Sequence, residues 1–337
     1  MSTVTTRCTA TSCWRRSSSS RSGAPPRSSC GSVASSPPSP SDPRPAVAPA
    51  VVEAVVDHDG LRHSVLDWGG SGEVLLLLHP NGLCAGFFDP LAVRLTDTFR
   101  VIGVDLRGHG GSDPPPTRAG LRYEPMAGDV LAVLDALGIE EFSAVGESLG
   151  GGVSAVVDEL RPGAMRRLVC CEGIAFDAAA FPRGAAPGEG GASGNFMADI
   201  ARARRAVWPD REAVRARYSD RPPFDVVAPE ALAGYLRWGF VDRPDGQVEL
   251  ACDPETEAAI FEVTSEPGGA DRAFAHLAVM RGRVAVLRGE ASYLPEPWFR
   301  AQADAAGTEL RTIPGGHFFL QEDTARAEAI VRAELGR

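Results

Sequence analysis

The sequence predicts an α/β protein: a mostly parallel sheet flanked by helices, with a helical cap inserted late in the chain. Three observations carry this. Short apolar runs such as "EVLLLLH" (73–79) and "FRVIGV" (99–104) have strand length and no polar alternation, as strands covered on both faces do. They alternate with stretches at helical spacing, notably "MAGDVLAVLDALG" (126–138), the pattern of parallel strands joined by crossover helices. The alternation lapses over residues 173–278 and then returns, which is what an insertion between two sheet strands produces.

Each element follows in order. "VVEAVVDHDGLRHSVLDWG" (51–69) reads as two strands turning at Asp59-Gly60, a dipeptide suited to a tight hairpin. After "EVLLLLH" and "FRVIGVDLRGHG", the helix 126–138 stops at Gly138, and "EFSAVGES" (141–148) supplies the next strand. A helix then runs from Ser148 to just before Pro162, and "RRLVCCE" (166–172) is a further strand. "RVAVLRGE" (283–290), "ELRTIPGGH" (309–317) and a terminal helix "DTARAEAIVRAEL" (323–335) resume the alternation. The expected core is therefore 50–172 and 279–337, with the cap at 173–278.

Residues 1–49 differ in kind. They are rich in Ser, Pro and Arg, with six arginines against Asp42 as the single acid, and too poor in apolar residues to offset their ordering entropy. We expect a disordered tail. The whole chain carries a net charge of −10 and shows no basic stripe in the folded part, which argues against a nucleic-acid partner. No apolar stretch approaches the ~20 residues of a membrane span. The seven cysteines form no CxxC pair and no metal-like spacing, and a cytoplasmic location is expected.

The chemistry gathers at "VGESLGGGVS" (145–154). A Gly-x-Ser-x-Gly placed between a strand and a helix forces a sharp turn at the serine, and small residues two positions either side relieve the crowding. Gly146 and Gly150 meet that need, leaving Ser148 as a candidate nucleophile with its hydroxyl at the strand end. The backbone N–H of the next residue, Leu149, is the expected first donor to an oxyanion. A glycine-rich turn that merely packs a helix on a strand is the alternative reading.

"LLLLHPNG", "VIGVDLRGHGGSD", "GESLGGG" and "IPGGHFF" occur in the order and approximate spacing of the α/β-hydrolase superfamily, which residues 50–337 resemble. The resemblance implies an α/β-hydrolase fold and a serine hydrolase. It makes His317, late in the chain after "ELRTIPGG", the base. His58 and His63 of the first hairpin, His109 in a loop and His276 on a helix are read as structural or solvated. The family alignment places the second oxyanion donor at the N–H of Asn81, since Pro80 has none. His79 is read as structural.

The triad acid departs from the family's usual position, where this chain has Ser292 and Tyr293. Two carboxylates remain. Glu172 ends the strand after the nucleophile helix, as in one class of haloalkane dehalogenases, and a charge directly after "RRLVCC" needs a partner. Glu290 follows Gly289. Glu172 is preferred; Asp105 is expected to organise its loop, and Glu147 lies within the elbow. Serine in place of the aspartate of dehalogenases and epoxide hydrolases favours acyl transfer.

The resemblance implies a small to medium carboxylic ester or lactone as substrate, with no metal and no organic cofactor. Diketone carbon–carbon hydrolysis, acyl transfer to another acceptor, and a non-catalytic ligand-binding member stay open. The cap's aromatics, Phe176, Phe181, Phe196, Trp208, Tyr218, Phe224, Tyr235, Trp238 and Phe240, are expected mainly to build its own core, with a minority lining a pocket.

Overall fold

In the computed structural model the described residues are 4–7, 51–177 and 195–337. The strands and helices of the sheet core from residue 52 onward fall where the apolar patterning puts them. Strands β1 (Val4–Arg7), β2 (Val52–His58), β3 (Leu61–Gly69), β4 (Glu73–Leu78), β5 (Phe99–Val104), β6 (Phe142–Glu147) and β7 (Met165–Cys171) precede the insertion. Around them run helices α1 (Asp89–Leu95), α2 (Tyr123–Ala136) and α3 (Leu149–Leu160). The hairpin turns at Asp59-Gly60 as expected. Both residues have positive φ, 52° and 75°, the left-handed pair that a two-residue turn between twisted strands demands.

The insertion holds helices α4 (Phe196–Arg202), α5 (Arg211–Tyr218), α6 (Pro229–Trp238), α7 (Pro254–Thr264) and α8 (Ala270–Leu277). It also holds three short strands, β8 (Val207–Trp208), β9 (Phe240–Asp242) and β10 (Val248–Leu250), paired antiparallel in the order β8-β10-β9. Strands of two or three residues are too short to show a period, so the sequence pattern reads this stretch as helical alone. The chain closes with β11 (Val284–Gly289), α9 (Glu296–Ala306), β12 (Leu310–Ile313), α10 (Phe319–Glu322) and α11 (Thr324–Glu334).

The large sheet runs β1-β2-β3-β5-β4-β6-β7-β11-β12. From β5 to β12 every neighbour is parallel, while β1, β2 and β3 join antiparallel. β4 lies between β5 and β6, and Leu75 to Leu78 are fully buried, which explains its unbroken run of leucines. One apolar cluster fills the space beneath α2, α3 and α9, a second that beneath α1 and α11. A third joins Leu83, Cys84 and Phe87 of the core to Trp208, Phe224, Tyr235 and Phe240 of the insertion, seating one on the other.

Two details refine the expected layout. α8 packs against α3 and α9, so the end of the insertion nearest residue 278 has its contacts with the core. Val4–Arg7, within the stretch expected to be disordered, pair antiparallel with β2 as an edge strand. The remainder of that tail, and Phe181 of the insertion, lie outside the described residues.

Candidate active site

β6 is buried along its whole length and delivers Ser148 at its carboxyl end with φ 52° and ψ −117°. A side chain rarely adopts this conformation, which costs on the order of 1–3 kcal/mol and persists only where surroundings impose it. Here the Ser148 N–H donates to the Cys171 carbonyl at 2.9 Å, and the Ser148 carbonyl accepts from Gly151 at 3.1 Å and Ile174 at 2.9 Å. A Cβ at Gly150 would overlap the Leu78 carbonyl, and one at Gly146 would come within 2.6 Å of the Gly150 carbonyl. The glycines that flank the serine are thus required by close approach of backbone. Packing a helix on a strand needs no such strain at the residue between them.

The neighbouring strand brings the acid. Glu147 pairs with Cys171 across β6 and β7, so the residue after each, Ser148 and Glu172, leaves the sheet at the same level. Glu172 also has φ 52°. Its N–H donates to Leu287 at 2.9 Å, and its fully buried carboxylate accepts from the Gly289 N–H at 2.7 Å and from the Ser292 hydroxyl. The same carboxylate lies 2.9 Å from Nδ1 of His317, which the Pro314-Gly315-Gly316 turn carries in from β12. With Nδ1–H directed at Glu172, the lone pair of His317 is on Nε2. Glu290 is exposed, and its N–H is tied to Ile313, so of the two candidate acids it is Glu172 that meets His317.

Asn81 stands three residues beyond Leu78, whose register partner on β6 is Gly146, so its turn faces the serine across adjacent strand ends. The turn closes with Leu83 N–H donating to the Pro80 carbonyl at 3.3 Å. Gly82, at φ 73°, donates its N–H to Nε2 of His109 at 3.0 Å. The Asn81 side chain donates to the Glu257 carbonyl at 2.9 Å. Among the described residues, neither the Asn81 nor the Leu149 backbone N–H has a hydrogen-bond acceptor, so both remain available to a ligand.

Other polar residues have structural partners. His79 donates from Nδ1 to Pro80 at 2.8 Å and accepts the Leu106 N–H on Nε2 at 3.0 Å; burial lowers its pKa to about 4, which keeps it neutral. Asp105 accepts the Ala85 and Gly111 N–H groups at 2.8 and 2.9 Å and organises its loop. His276 is buried against Asp158 at 2.9 Å, and His63 is buried near Asp129. Among the described residues no group of three His, Cys, Asp or Glu is arranged to hold a metal, and no helix is long and apolar enough to cross a membrane.

A sequence profile of the α/β-hydrolase fold matches residues 73–249. The chain belongs to the α/β-hydrolase family. Among curated relatives it is 42% identical over 103 residues to the dihydrolipoyllysine-residue acetyltransferase component of an acetoin-cleaving system of Cupriavidus necator, covering 29% of this chain and 26% of that protein. It is 35% identical over 103 residues to 2-(acetamidomethylene)succinate hydrolase of Mesorhizobium japonicum, covering 31% of this chain and 36% of the relative. The matches thus span about a quarter to a third of these relatives' length. The crystal structure of E-2-(acetamidomethylene)succinate hydrolase superposes with a TM-score of 0.70 at 21% identity, over 86% of this chain and 100% of the other.

In this α/β-hydrolase several contributors to the site escape sequence reasoning. Ser292, in the position where the family usually carries its acid, donates to Glu172 instead of replacing it. Gln321 donates to Glu147 at 2.8 Å directly behind the elbow. Arg204, Tyr235 and Glu257 of the insertion meet at Gly82. Ser292 had a signal, since it occupies the motif position. The others had none, because their partners lie far away in sequence.

Proposed function

We propose that the protein is a serine hydrolase that cleaves a small to medium carboxylic ester or lactone through an acyl-enzyme. Ser148 Oγ attacks the carbonyl carbon as Nε2 of His317 takes the hydroxyl proton. Glu172 holds the ring through Nδ1–H and stabilises the imidazolium that forms. The Leu149 and Asn81 N–H groups receive the oxyanion. His317 returns its proton to the departing alkoxide, then takes one from water as the water oxygen attacks the acyl carbon, and passes it to Ser148 Oγ as the C–Oγ bond breaks and the acid leaves. The chemistry draws on side chains and backbone alone. The residues inserted between β7 and β11 act as a cap over the site.

The observation that carries this reading is the 2.9 Å contact between the buried Glu172 and Nδ1 of His317, one residue past the strand that bonds the strained Ser148. An apolar acyl or ring group is supported by the aromatic wall beside the base: Phe318 follows His317 and packs on Phe87 at 5.3 Å and Phe224 at 5.9 Å between ring centres. A cytoplasmic location is supported by four buried free thiols, Cys84, Cys170, Cys171 and Cys252.

A fluorophosphonate probe tests the nucleophile. Wild type is expected to be labelled at one site and Ser148→Ala not at all. Folded wild-type protein that resists labelling would instead identify a ligand-binding member of the family. A product screen over esters, lactones and vinylogous diketones, with and without an added thiol or alcohol acceptor, separates ester hydrolysis from carbon–carbon hydrolysis and acyl transfer.

A further inference from the structure

The cap side of the site contains a buried ion pair that the proposed chemistry does not use. Arg204, just past α4, pairs with Glu257 of α7; the two side chains are 17% and 10% exposed. The same guanidinium donates to the Gly82 carbonyl at 3.3 Å, to the Tyr218 hydroxyl at 3.3 Å and to the Tyr235 hydroxyl at 2.8 Å. Tyr235 in turn donates to the Gly82 carbonyl at 3.1 Å. Burial pushes the Tyr235 phenol well above its ordinary pKa, so it stays a donor. Gly82 has no room for a side chain, because a Cβ would overlap the Glu257 carboxylate. Both terminal nitrogens of Arg204 therefore have partners inside the protein, which argues against an open subsite for a substrate carboxylate.

What these groups hold is a backbone relay. A peptide unit is planar and trans, so fixing its carbonyl fixes its N–H in the opposite direction. The Gly82 carbonyl shares a peptide unit with the Leu83 N–H. That N–H donates to the Pro80 carbonyl, which also accepts His79 Nδ1–H at 2.8 Å. The Pro80 carbonyl shares its peptide unit with the Asn81 N–H. Two rigid planes thus connect Arg204 and Tyr235 to the direction in which the Asn81 N–H points. Glu257 adds a second hold through its own carbonyl, which accepts from the Asn81 side chain at 2.9 Å.

We propose that Arg204, Glu257 and Tyr235 form a clamp through which the cap sets the oxyanion donor: they are positioning residues for the Asn81 N–H. This rests on the reading of Asn81 as an oxyanion donor. The cap then does more than cover the substrate. Its seating completes the electrostatic half of the site.

The test uses Tyr235→Phe, which keeps the ring, and the double variant Arg204→Met/Glu257→Gln, which leaves no unpaired buried charge. Arg202→Ala is the control, because Arg202 pairs with Glu255 and Glu262 on the same α4–α7 contact without reaching Gly82. Active sites are titrated by fluorophosphonate, so kcat is counted per competent site. The double variant should lose about 100-fold in kcat, as for a lost oxyanion donor, and Tyr235→Phe about 10-fold, both with KM nearly unchanged. Binding of a trifluoromethyl ketone, whose serine adduct places an oxyanion in the same hole, should weaken by the same factors. Arg202→Ala should do neither.

A merely structural role would lower the titrated fraction and leave kcat per site and ketone binding intact; that result overturns the clamp, as does a loss confined to KM. Wild type that fails to label overturns the serine reading and the clamp with it. Labelled wild type with indifferent variants overturns the clamp alone.

Discussion

Two buried histidine–carboxylate pairs occupy opposite ends of the same parallel strands. At the carboxyl ends, Glu172 and His317 meet at 2.9 Å; at the amino ends, Asp158 of α3 and His276 of α8 also meet at 2.9 Å. Distance and burial do not separate them. Their neighbours do. Asp158 also binds Arg283 with both oxygens, at 2.9 and 3.0 Å, and Arg283 reaches the Met165 carbonyl where β7 begins. Among the described residues the remaining partners of Glu172 are neutral, the Gly289 N–H and the Ser292 hydroxyl. A carboxylate already matched by an arginine ties helices together. One whose cationic partner is a histidine suits the role proposed for Glu172, the support of a charge that appears during reaction.

The largest expected effect breaks the comparison at its chemical end. Glu172→Gln should cut kcat by about a thousand- to ten-thousand-fold with KM little changed, since the ring loses its orienting charge. Glu290→Gln, assayed beside it with the same ester, should match wild type; a reversed pattern would make Glu290 the acid.

At the structural end, Asp158→Asn should cost about 3 kcal/mol in denaturant unfolding, the low end for a broken buried pair because Arg283 is partly exposed and can turn to water. Its kcat per titrated site should equal that of wild type. A fall in kcat without loss of stability would mean that the two pairs are coupled through α3.

A third buried carboxylate sharpens the contrast at the smallest scale. Glu147 accepts one hydrogen bond, from Gln321, its other oxygen has no partner among the described residues, and burial pushes its pKa well above the ordinary value. Above the pH at which the unfolded carboxyl ionises, the folded protein still holds this proton. Stability therefore falls as pH rises until the folded group ionises too, by up to about 1.4 kcal/mol per pH unit. Glu147→Gln, which resembles the protonated acid, should remove that slope, so the gap in Tm between variant and wild type should widen from pH 5 to pH 7. A gap that stays constant would show that Glu147 ionises in the fold as it does in the unfolded chain.

The strand ends were legible in the sequence because both faces of each central strand are covered. β4, β6 and β7 therefore carry apolar runs toward their carboxyl ends, LLLL, AVG and LVCC, and the residues that follow each run mark the rim of the sheet. Ser148, Glu172 and His317 sit at such positions or one short turn beyond. A carboxylate following "RRLVCC" stood out because an unpartnered charge there is too costly to keep. The three-stranded sheet β8-β10-β9 had no comparable signal, and neither did α8, whose apolar spacing fits an insertion or a core face equally well.

By itself, then, the sequence determined the parallel sheet, the strained serine between glycines, the late histidine and a short list of acids. All are local consequences of burial and backbone sterics, which act over a few residues. Only the tertiary structure decided that Glu172, not Glu290, reaches His317, that Asp158 and His276 form a pair unrelated to it, and that Arg204, Tyr235 and Glu257 converge on Gly82. Those contacts join residues more than a hundred positions apart. Hydrogen-bond geometry and charge pairing are then set by how the layers pack, and no run of neighbouring residues records it.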